Sequence, residues 1–478
     1  MKNLIVGAGV MLGLAKGALG GVTAEPSPAT KRPPFSTVKP TLSSIYAAQA
    51  TAEPQSPVSN VPGKAFDRIV QIWLENTNFD ASAADPNMQW LASKGILLTN
   101  YFAVTHPSEP NYAAVVGGDT FGMDNDDFIT FPSNISTVVD LLDTKGISWA
   151  GYQEHIPYPG FAGFNFSNQN TFANDYVRKH NPLVLYQSVT DNSTRAAQIK
   201  SFVNLTSDIT DKKLAQWSFV TPNMTNDGHD TNITFAASWA RAFLEPLLKD
   251  DYATQNTLFV LSFDENEDYP TPNRVYTVLL GGAVDQSLHG TTDDTFYTHY
   301  SMISTVSANW DLPSLGRWDC GANILALVAN KTGYRNAAVP HLDRLAFNAS
   351  YPGPVSDAAF TPGWWPAPNT QARCSSGNGV LKAVADTWGS NQAGTYNYTN
   401  VYPYDAVAGV ATGADLVTDA NDAGSGGGSG TSGSGTGTTS SPSPSSSHNA
   451  AAAPVRAGPV GGVVVGALGL VAALLTLL

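Results

Sequence analysis

Six short apolar runs, separated by stretches of helical pattern, set the tightest limit on what this chain can fold into. They are RIVQIWL at 68–74, GILLTNYFAV at 95–104, GISWAGY at 146–152, WSFV at 217–220, TLFVLSF at 257–263 and RVYTVLL at 274–280. Continuous apolar runs of this length read as strands buried on both faces. Between them, Asn134 stands where it can cap the helix of ISTVVDLLDTKG. In FAASWARAFLEPLL the residues Phe235, Trp239 and Phe243 recur every fourth position, so they share one face, read as a core contact. Strand–helix alternation predicts an α/β fold, a mainly parallel central sheet with helices on both faces. There is no internal repeat.

Three of the runs end in polar clusters. RIVQIWL leads into Glu75-Asn76. WSFV leads into TPNMTNDGHD, with Asp227, His229 and Asp230. TLFVLSF leads into DENED at 264–268. In open α/β sheets, ligands bind just beyond the carboxyl ends of the strands. Acids converging on one such edge would make a cation site. Carboxylate and amide oxygens suit Mg, Ca or Mn, and an added imidazole shifts the preference toward Zn or Mn. Asp264-x-Asn266-x-Asp268 imitates the start of an EF-hand loop. Tyr269 replaces its glycine and Val275 its bidentate glutamate, so that reading is rejected. His299, in THYSMIST, precedes a helical pattern; it either joins the acidic edge or caps and packs its helix.

Ser108 lies in AVTHPSEPNYAAVVGGDTFG, between two prolines. PNYAAVV begins a helix, with Pro110 in its first turn. A serine there meets the positive end of the helix dipole and free backbone N–H groups. Those donors would hold a phosphate, and a nearby metal would help the hydroxyl ionise. Neither G-x-S-x-G nor a Walker A sequence occurs, which disfavours an α/β-hydrolase triad and a P-loop.

Taken together, ENTNFD (75–80), THPSEPNY (105–112), TPNMTNDGHD (221–230), SFDENED (262–268) and THYS (298–301) resemble one known group. It is the acid phosphatase and phospholipase C branch of the alkaline phosphatase superfamily, especially the fungal secreted acid phosphatases. The resemblance runs from about Phe66 to Cys320. It implies an alkaline phosphatase-like fold and a phosphate-ester hydrolase working through a phosphoserine. Ser108 would be the nucleophile. A divalent metal (Mg, Ca, Mn or Zn) would be held by Glu75, Asn76, Ser108, Asp264 and Glu265. Asp227, His229 and His299 align with the second half of the superfamily site. They would bind a second metal, or contact phosphate while His229 and His299 act in catalysis by protonating the leaving group. His106 and Asn111 are assigned to substrate binding. Two-metal members usually place a histidine after the aspartate of the strand-end pair; here that position is Glu265. The modified-nucleophile context of a sulfatase, C/S-x-P/A-x-R, is absent.

The expected function is therefore a cell-surface acid phosphatase that hydrolyses phosphomonoesters and scavenges phosphate. A phospholipase C-type phosphodiesterase is the alternative from the same fold. A cell-wall structural or adhesion glycoprotein is the alternative from another class. A formal net charge of −14 and the lack of any basic block argue against nucleic acid as a partner. A small phosphate-ester substrate and a membrane reached through a lipid anchor are expected, with no obligate protein partner.

Domain organisation follows from composition. Residues 1–24 read as a signal peptide, and 25–64 as a Pro/Ser/Thr-rich linker. The phosphoesterase domain is placed at 65–418 and a Gly/Ser/Thr-rich stalk at 419–449. Residues 450–478 read as a GPI-attachment signal that is removed, with Asn449 as the attachment residue. The location expected is the extracellular face of the plasma membrane or the cell wall. Cys320 and Cys374 suit one disulfide in an oxidising compartment. N-glycosylation is expected at Asn134, Asn165, Asn192, Asn204, Asn232, Asn330, Asn348 and Asn397. The sequon at Asn223 falls in a site loop and is expected to be unmodified or to carry an outward-pointing glycan.

Overall fold

A strand that is apolar on both faces has to be covered on both, and that requirement places the longest runs at the middle of the sheet. A computed structural model of the chain describes residues 39–339, 342–357, 367–390 and 396. Its central sheet has eight strands. They are β1 (Arg68–Leu74), β2 (Ile96–Leu98), β3 (Trp149–Gln153), β4 (Ile199–Lys200), β5 (Trp217–Thr221), β6 (Thr257–Phe263), β7 (Thr277–Leu280) and β8 (Thr291–Asp293). The order across the sheet is β8-β2-β7-β6-β1-β5-β3-β4. Only β7 runs antiparallel to its neighbours. The mainly parallel α/β fold is thus as expected. Every residue of β6, and every residue of β1 after Arg68, is buried.

Five helices matter below: α1 (Leu42–Gln49), α2 (Ser108–Gly117), α3 (Val138–Asp143), α4 (Ile233–Leu247) and α5 (Tyr300–Trp310). Trp73 of β1 packs against Tyr112 of α2, with ring centroids 5.0 Å apart. Helix α4 presents Ala236, Ala237, Ala240 and Leu244 inward.

Several local expectations change. GILLTNYFAV is not one strand. It breaks after β2, and Tyr101–Phe102 pairs with Tyr297–Thr298 in a separate two-stranded sheet. Asn134 does not cap α3. Thr137 does so, accepting from Val139 N–H, while Asp140 accepts from Thr137 N–H in a capping box. The aromatic stripe of α4 is core only in part: Trp239 and Phe243 are half-buried and pack against the core, and Phe235 does not. Small alanines let the helix approach closely and push the rings to its flank. There Trp239 and Phe243 stack at 5.0 Å, Phe243 meets Phe202 at 5.8 Å, and Phe235 is 45% exposed. The linker expected at 25–64 is docked over its described part. Helix α1 buries Ile45, Gln55 N–H donates to Ala197 O at 2.8 Å, and Ser59 Oγ donates to Gln216 Oε1 at 2.6 Å.

Cys320 and Cys374 form the expected disulfide. Asn134, Asn165, Asn192, Asn232 and Asn330 are exposed, and Asn204 is half-buried. Asn348 is a poorer acceptor than expected, because its Nδ2 already donates to Tyr269 O and Thr271 O. Asn223 is buried, with Nδ2 3.1 Å from His155 Nδ1. The signal peptide, the stalk, the GPI signal with Asn449, and Asn397 lie outside the described residues. Among the described residues no helix is long and apolar enough to cross a membrane.

Helix α2 ends at Gly118, whose φ of 75° closes it in a left-handed turn. Buried Arg317 then donates Nη1 to Gly117 O at 2.6 Å and to Ser136 O at 2.8 Å. Asp119 and Asp319 are its buried neighbours. Arg317→Met would leave two carbonyls and two carboxyls without their cation. We expect it to lower stability by about 3 kcal/mol in urea unfolding.

Candidate active site

Strand β1 lies between β5 and β6, and all three are parallel. Their carboxyl ends therefore open on the same edge. Backbone bonds lock the residues that follow: Glu75 N–H donates to Asp227 O at 2.9 Å, and Asp264 N–H donates to Leu74 O at 3.1 Å. The result is that Glu75, Asp227, Asp264 and Glu265 are all fully buried beside one another. Between Asp227 and His229, Gly228 adopts φ 107°. That reversal lets His229 N–H donate to Asp227 Oδ1 at 2.8 Å.

Ser108 enters from the facing loop. It is the first residue of α2, as expected from Pro110. Its hydroxyl donates to Glu265 Oε1 at 2.9 Å, with Glu75 Oε2 3.3 Å away. One turn on, Tyr112 OH donates to Glu75 Oε1 at 2.5 Å. Asn111, assigned above to substrate, has another task. Its Oδ1 accepts from Val104 N–H at 3.0 Å, and its Nδ2 donates to Thr105 O at 2.8 Å and Pro107 O at 3.3 Å. The side chain ties the incoming loop to the first turn, and both of its N–H donors are spent on backbone carbonyls, leaving none for a phosphoryl oxygen. The peptide joining His106 to Pro107 is cis. His106 Nδ1 approaches Glu265 Oε2 at 2.5 Å, and its ring stacks on Tyr269 at 3.9 Å.

His299 is corrected as well. It is buried at the start of α5, with Nε2–H donating to Asp264 O at 2.6 Å and Nδ1 3.3 Å from Tyr101 OH. Its ring lies 4.3 Å from Trp73. Both nitrogens are engaged, so it supports the loop of Asp264 instead of joining His229. Burial holds it neutral, with a pKa of about 3.

The place expected for His299 is taken by His180, which the sequence reading missed. Its Nε2 lies 3.2 Å from Glu75 Oε1 and its Nδ1 3.4 Å from Asp227 Oδ2. Glu75, His180 and His229 each bring a ligand atom to within 4.8 Å of the others. His180 sits in RKHNP, whose Arg-Lys suggests a surface turn; no strand end announces it. Lys179 was missed for the same reason. Its Nζ is 2.9 Å from Asp126 Oδ2 and 3.4 Å from His229 Nε2, and Asp126 Oδ1 accepts from Glu109 N–H at 2.9 Å.

The electrostatics ask for a cation. Burial raises Glu75 first, then repulsion from Asp264 and Asp227. Burial, then Glu265, pushes Asp264 up to about 8, and burial likewise pushes Glu265 up to about 8. Asp227 is raised mainly by burial. Asn76 Oδ1 and Asp264 Oδ2 are buried without a hydrogen-bond partner, and Asp227 Oδ2, Glu265 Oε2 and both nitrogens of His180 have only the histidine–carboxylate approaches described above. Orphaned oxygens of this kind fit a hard divalent ion, and the imidazoles beside them fit a borderline one.

Comparison with known proteins places the chain in a family. The Phosphoesterase family matches residues 76–313. The chain belongs to that family and is a phosphoric ester hydrolase. It is 59% identical over 376 residues to an acid phosphatase of Aspergillus fumigatus, covering 78% of this chain and 84% of that one. It is 55% identical over 370 residues to a phosphate-repressible acid phosphatase of Penicillium chrysogenum, covering 77% and 89%. A phosphatidylinositol-3-phosphatase of Mycobacterium tuberculosis is 30% identical over 280 residues, covering 57% and 86%. Among solved structures, an alkaline phosphatase superfamily protein from Vibrio parahaemolyticus matches with TM-score 0.34 and 12% identity, over 55% of this chain and 73% of that one.

A sign follows for the metal-stripped protein. Carboxyls raised on folding contribute stability in full below their unfolded pKa near ~4, and lose it as pH rises through about 8. A bound cation offsets that loss. The unfolding temperature of chelator-treated protein should therefore fall increasingly below that of cation-saturated protein as pH rises from ~5 to ~8. A gap that is absent or independent of pH would mean the carboxylates hold no cation.

Proposed function

We propose that the protein is an extracellular acid phosphatase that hydrolyses phosphomonoesters through a phosphoserine on Ser108. One observation carries the reading. An alcohol at a helix N-terminus is hydrogen-bonded to Glu265 and lies beside Glu75, carboxylates from two adjacent strand ends. The names of the fungal relatives point the same way.

Glu75, Asn76, Asp264 and Glu265, with Ser108 itself, would hold a divalent metal. Asp227, His180 and His229 would hold a second cation or meet the phosphoryl oxygens directly. When bound, a metal supplies positive charge to the phosphoryl oxygens and favours the ionised serine. The chain's own groups do the rest. Glu265 Oε1 orients the Ser108 hydroxyl and is the nearest acceptor for its proton. Ser108 Oγ bonds to phosphorus as the bond from phosphorus to the alcohol oxygen breaks. His229, at the exposed mouth, is placed to give a proton to the departing alcohol. Water then cleaves the phosphoserine, releasing inorganic phosphate and restoring the serine hydroxyl. His106, neutral because burial drives its pKa to about 4, borders the phosphoryl position.

An extracellular site is supported by the Cys320–Cys374 disulfide and by exposed sequons such as Asn134 and Asn330. A signal peptide at 1–24, a stalk at 419–449 and a lipid anchor at Asn449 remain part of the proposal. So does the scavenging of phosphate.

Ser108→Ala tests the nucleophile. It should reduce turnover of an aryl phosphomonoester by at least about 1000-fold with the unfolding temperature retained. Acid quenching of the native enzyme with labelled monoester should trap phosphate on Ser108. Unchanged turnover in the alanine variant would rule the mechanism out. A higher kcat/KM on a lysophospholipid-type diester than on the monoester would favour the phospholipase C reading instead.

A further inference from the structure

We propose that Lys179 binds a terminal oxygen of the phosphoryl group and makes the site prefer phosphomonoester dianions to diester monoanions. The proposal rests on the reading of Ser108 as nucleophile.

The placement of Asp126 is the clue. One of its oxygens accepts from Glu109 N–H at 2.9 Å, and the other lies 2.9 Å from Lys179 Nζ. Glu109 follows Ser108 in the first turn of α2. A single carboxylate therefore bridges the helix N-terminus and an ammonium, one residue from the nucleophile. A backbone N–H and an ammonium that converge on one anion are the donors a phosphoryl group needs. The ammonium is poorly solvated, since the Lys179 side chain is only 19% exposed. It also lies 3.4 Å from His229 Nε2, at the mouth of the site.

Lys179 acts on the whole acidic edge. Its charge is felt by Glu75, Asp227, Asp264 and Glu265. The adjacent cation is turned elsewhere. Arg178 is buried against Glu109 Oε1 at 3.4 Å and Val184 O at 3.1 Å, and lies over the Phe128 ring. Among the described residues, Lys179 is the cationic side chain directed at the cluster. Asp126 is then a positioning residue that keeps the ammonium extended over the site.

The discrimination follows from charge. A monoester dianion presents one more charged terminal oxygen than a diester, which carries an ester group there. An ammonium in a partly desolvated site rewards that extra charge more than water does. Backbone N–H groups, being neutral, separate the two substrates less.

The test uses the cation-saturated enzyme and three variants, Lys179→Met, Lys179→Arg and Ser108→Ala. Each is measured on an aryl phosphomonoester and on the matched aryl methyl phosphodiester. Binding of inorganic phosphate is followed by calorimetry, and folding by thermal unfolding. Lys179→Met should lower monoester kcat/KM by about 100-fold and diester kcat/KM by less than about 10-fold. Its phosphate affinity should fall while the variant still unfolds cooperatively. Lys179→Arg keeps the charge with different geometry, and its monoester-to-diester ratio should lie between those of the native and methionine enzymes. An equal loss on both substrates, or unchanged phosphate affinity, would overturn the proposal. If Lys179→Met does not fold, Lys179→Arg decides: a monoester-to-diester ratio below the native one with weakened phosphate binding supports the contact, and a native ratio with native phosphate affinity, or an equal loss on both substrates, overturns it. Retained turnover in Ser108→Ala would instead refute the nucleophile, leaving the phosphate-binding result to stand or fall separately.

Discussion

Glu75, Asp227, Asp264 and Glu265 are held together in a desolvated edge where like charges repel and where, among the described residues, Lys179 and no arginine offsets them. At an effective dielectric near 20, two such charges 4 Å apart repel by about 4 kcal/mol. Only a stiff frame keeps them there. The frame is three adjacent parallel strands whose register is set by continuous ladders, with Glu75 and Asp264 pinned by their own backbone N–H groups. Much else in the site is arranged around that repulsion. Tyr112 donates to Glu75, Ser108 donates to Glu265, and His299 supports the Asp264 carbonyl.

Ser108 is held from both ends of its helix. At the front, Asn111 and Asn273 bind the loop carbonyl of Thr105 at 2.8 and 2.9 Å. In the middle, Tyr186 OH donates to Ala113 O at 2.7 Å. At the back, Arg317 takes the last carbonyl. A hydroxyl at a helix start can be aimed well only if the helix cannot rotate, and these bonds prevent rotation. The alanines and valines of α2 are all buried, which adds packing to the same restraint.

Part of this was legible along the chain. RIVQIWL and TLFVLSF are strands with the residues expected, and SEPNYAAVV is a helix beginning at Ser108. The acids after the strands are at the shared edge because parallel strands end on one side. His180 and Lys179 were not legible. They follow a two-residue strand and sit in a short helical turn, so no periodicity marks them. Asn111 and His299 misled for the opposite reason. Each stands in a motif that suggests ligand chemistry, yet its hydrogen-bonding atoms are already taken by backbone carbonyls, N–H groups or a tyrosine.

By itself, the sequence determined the α/β class, the acidic residues at three strand ends, the placing of Ser108 at a helix start and the pairing of two cysteines. These are local properties: apolar periodicity, caps and breakers, and the count of a rare residue type. Only the tertiary structure decided which histidine faces the carboxylates, which asparagine is structural, and that an ammonium and a helix N-terminus share Asp126. Those outcomes depend on segments tens of residues apart meeting at one edge, and on which polar atoms are satisfied once they meet. No pattern read along one chain carries that information, because a side chain's partners are set by the packing of all its neighbours.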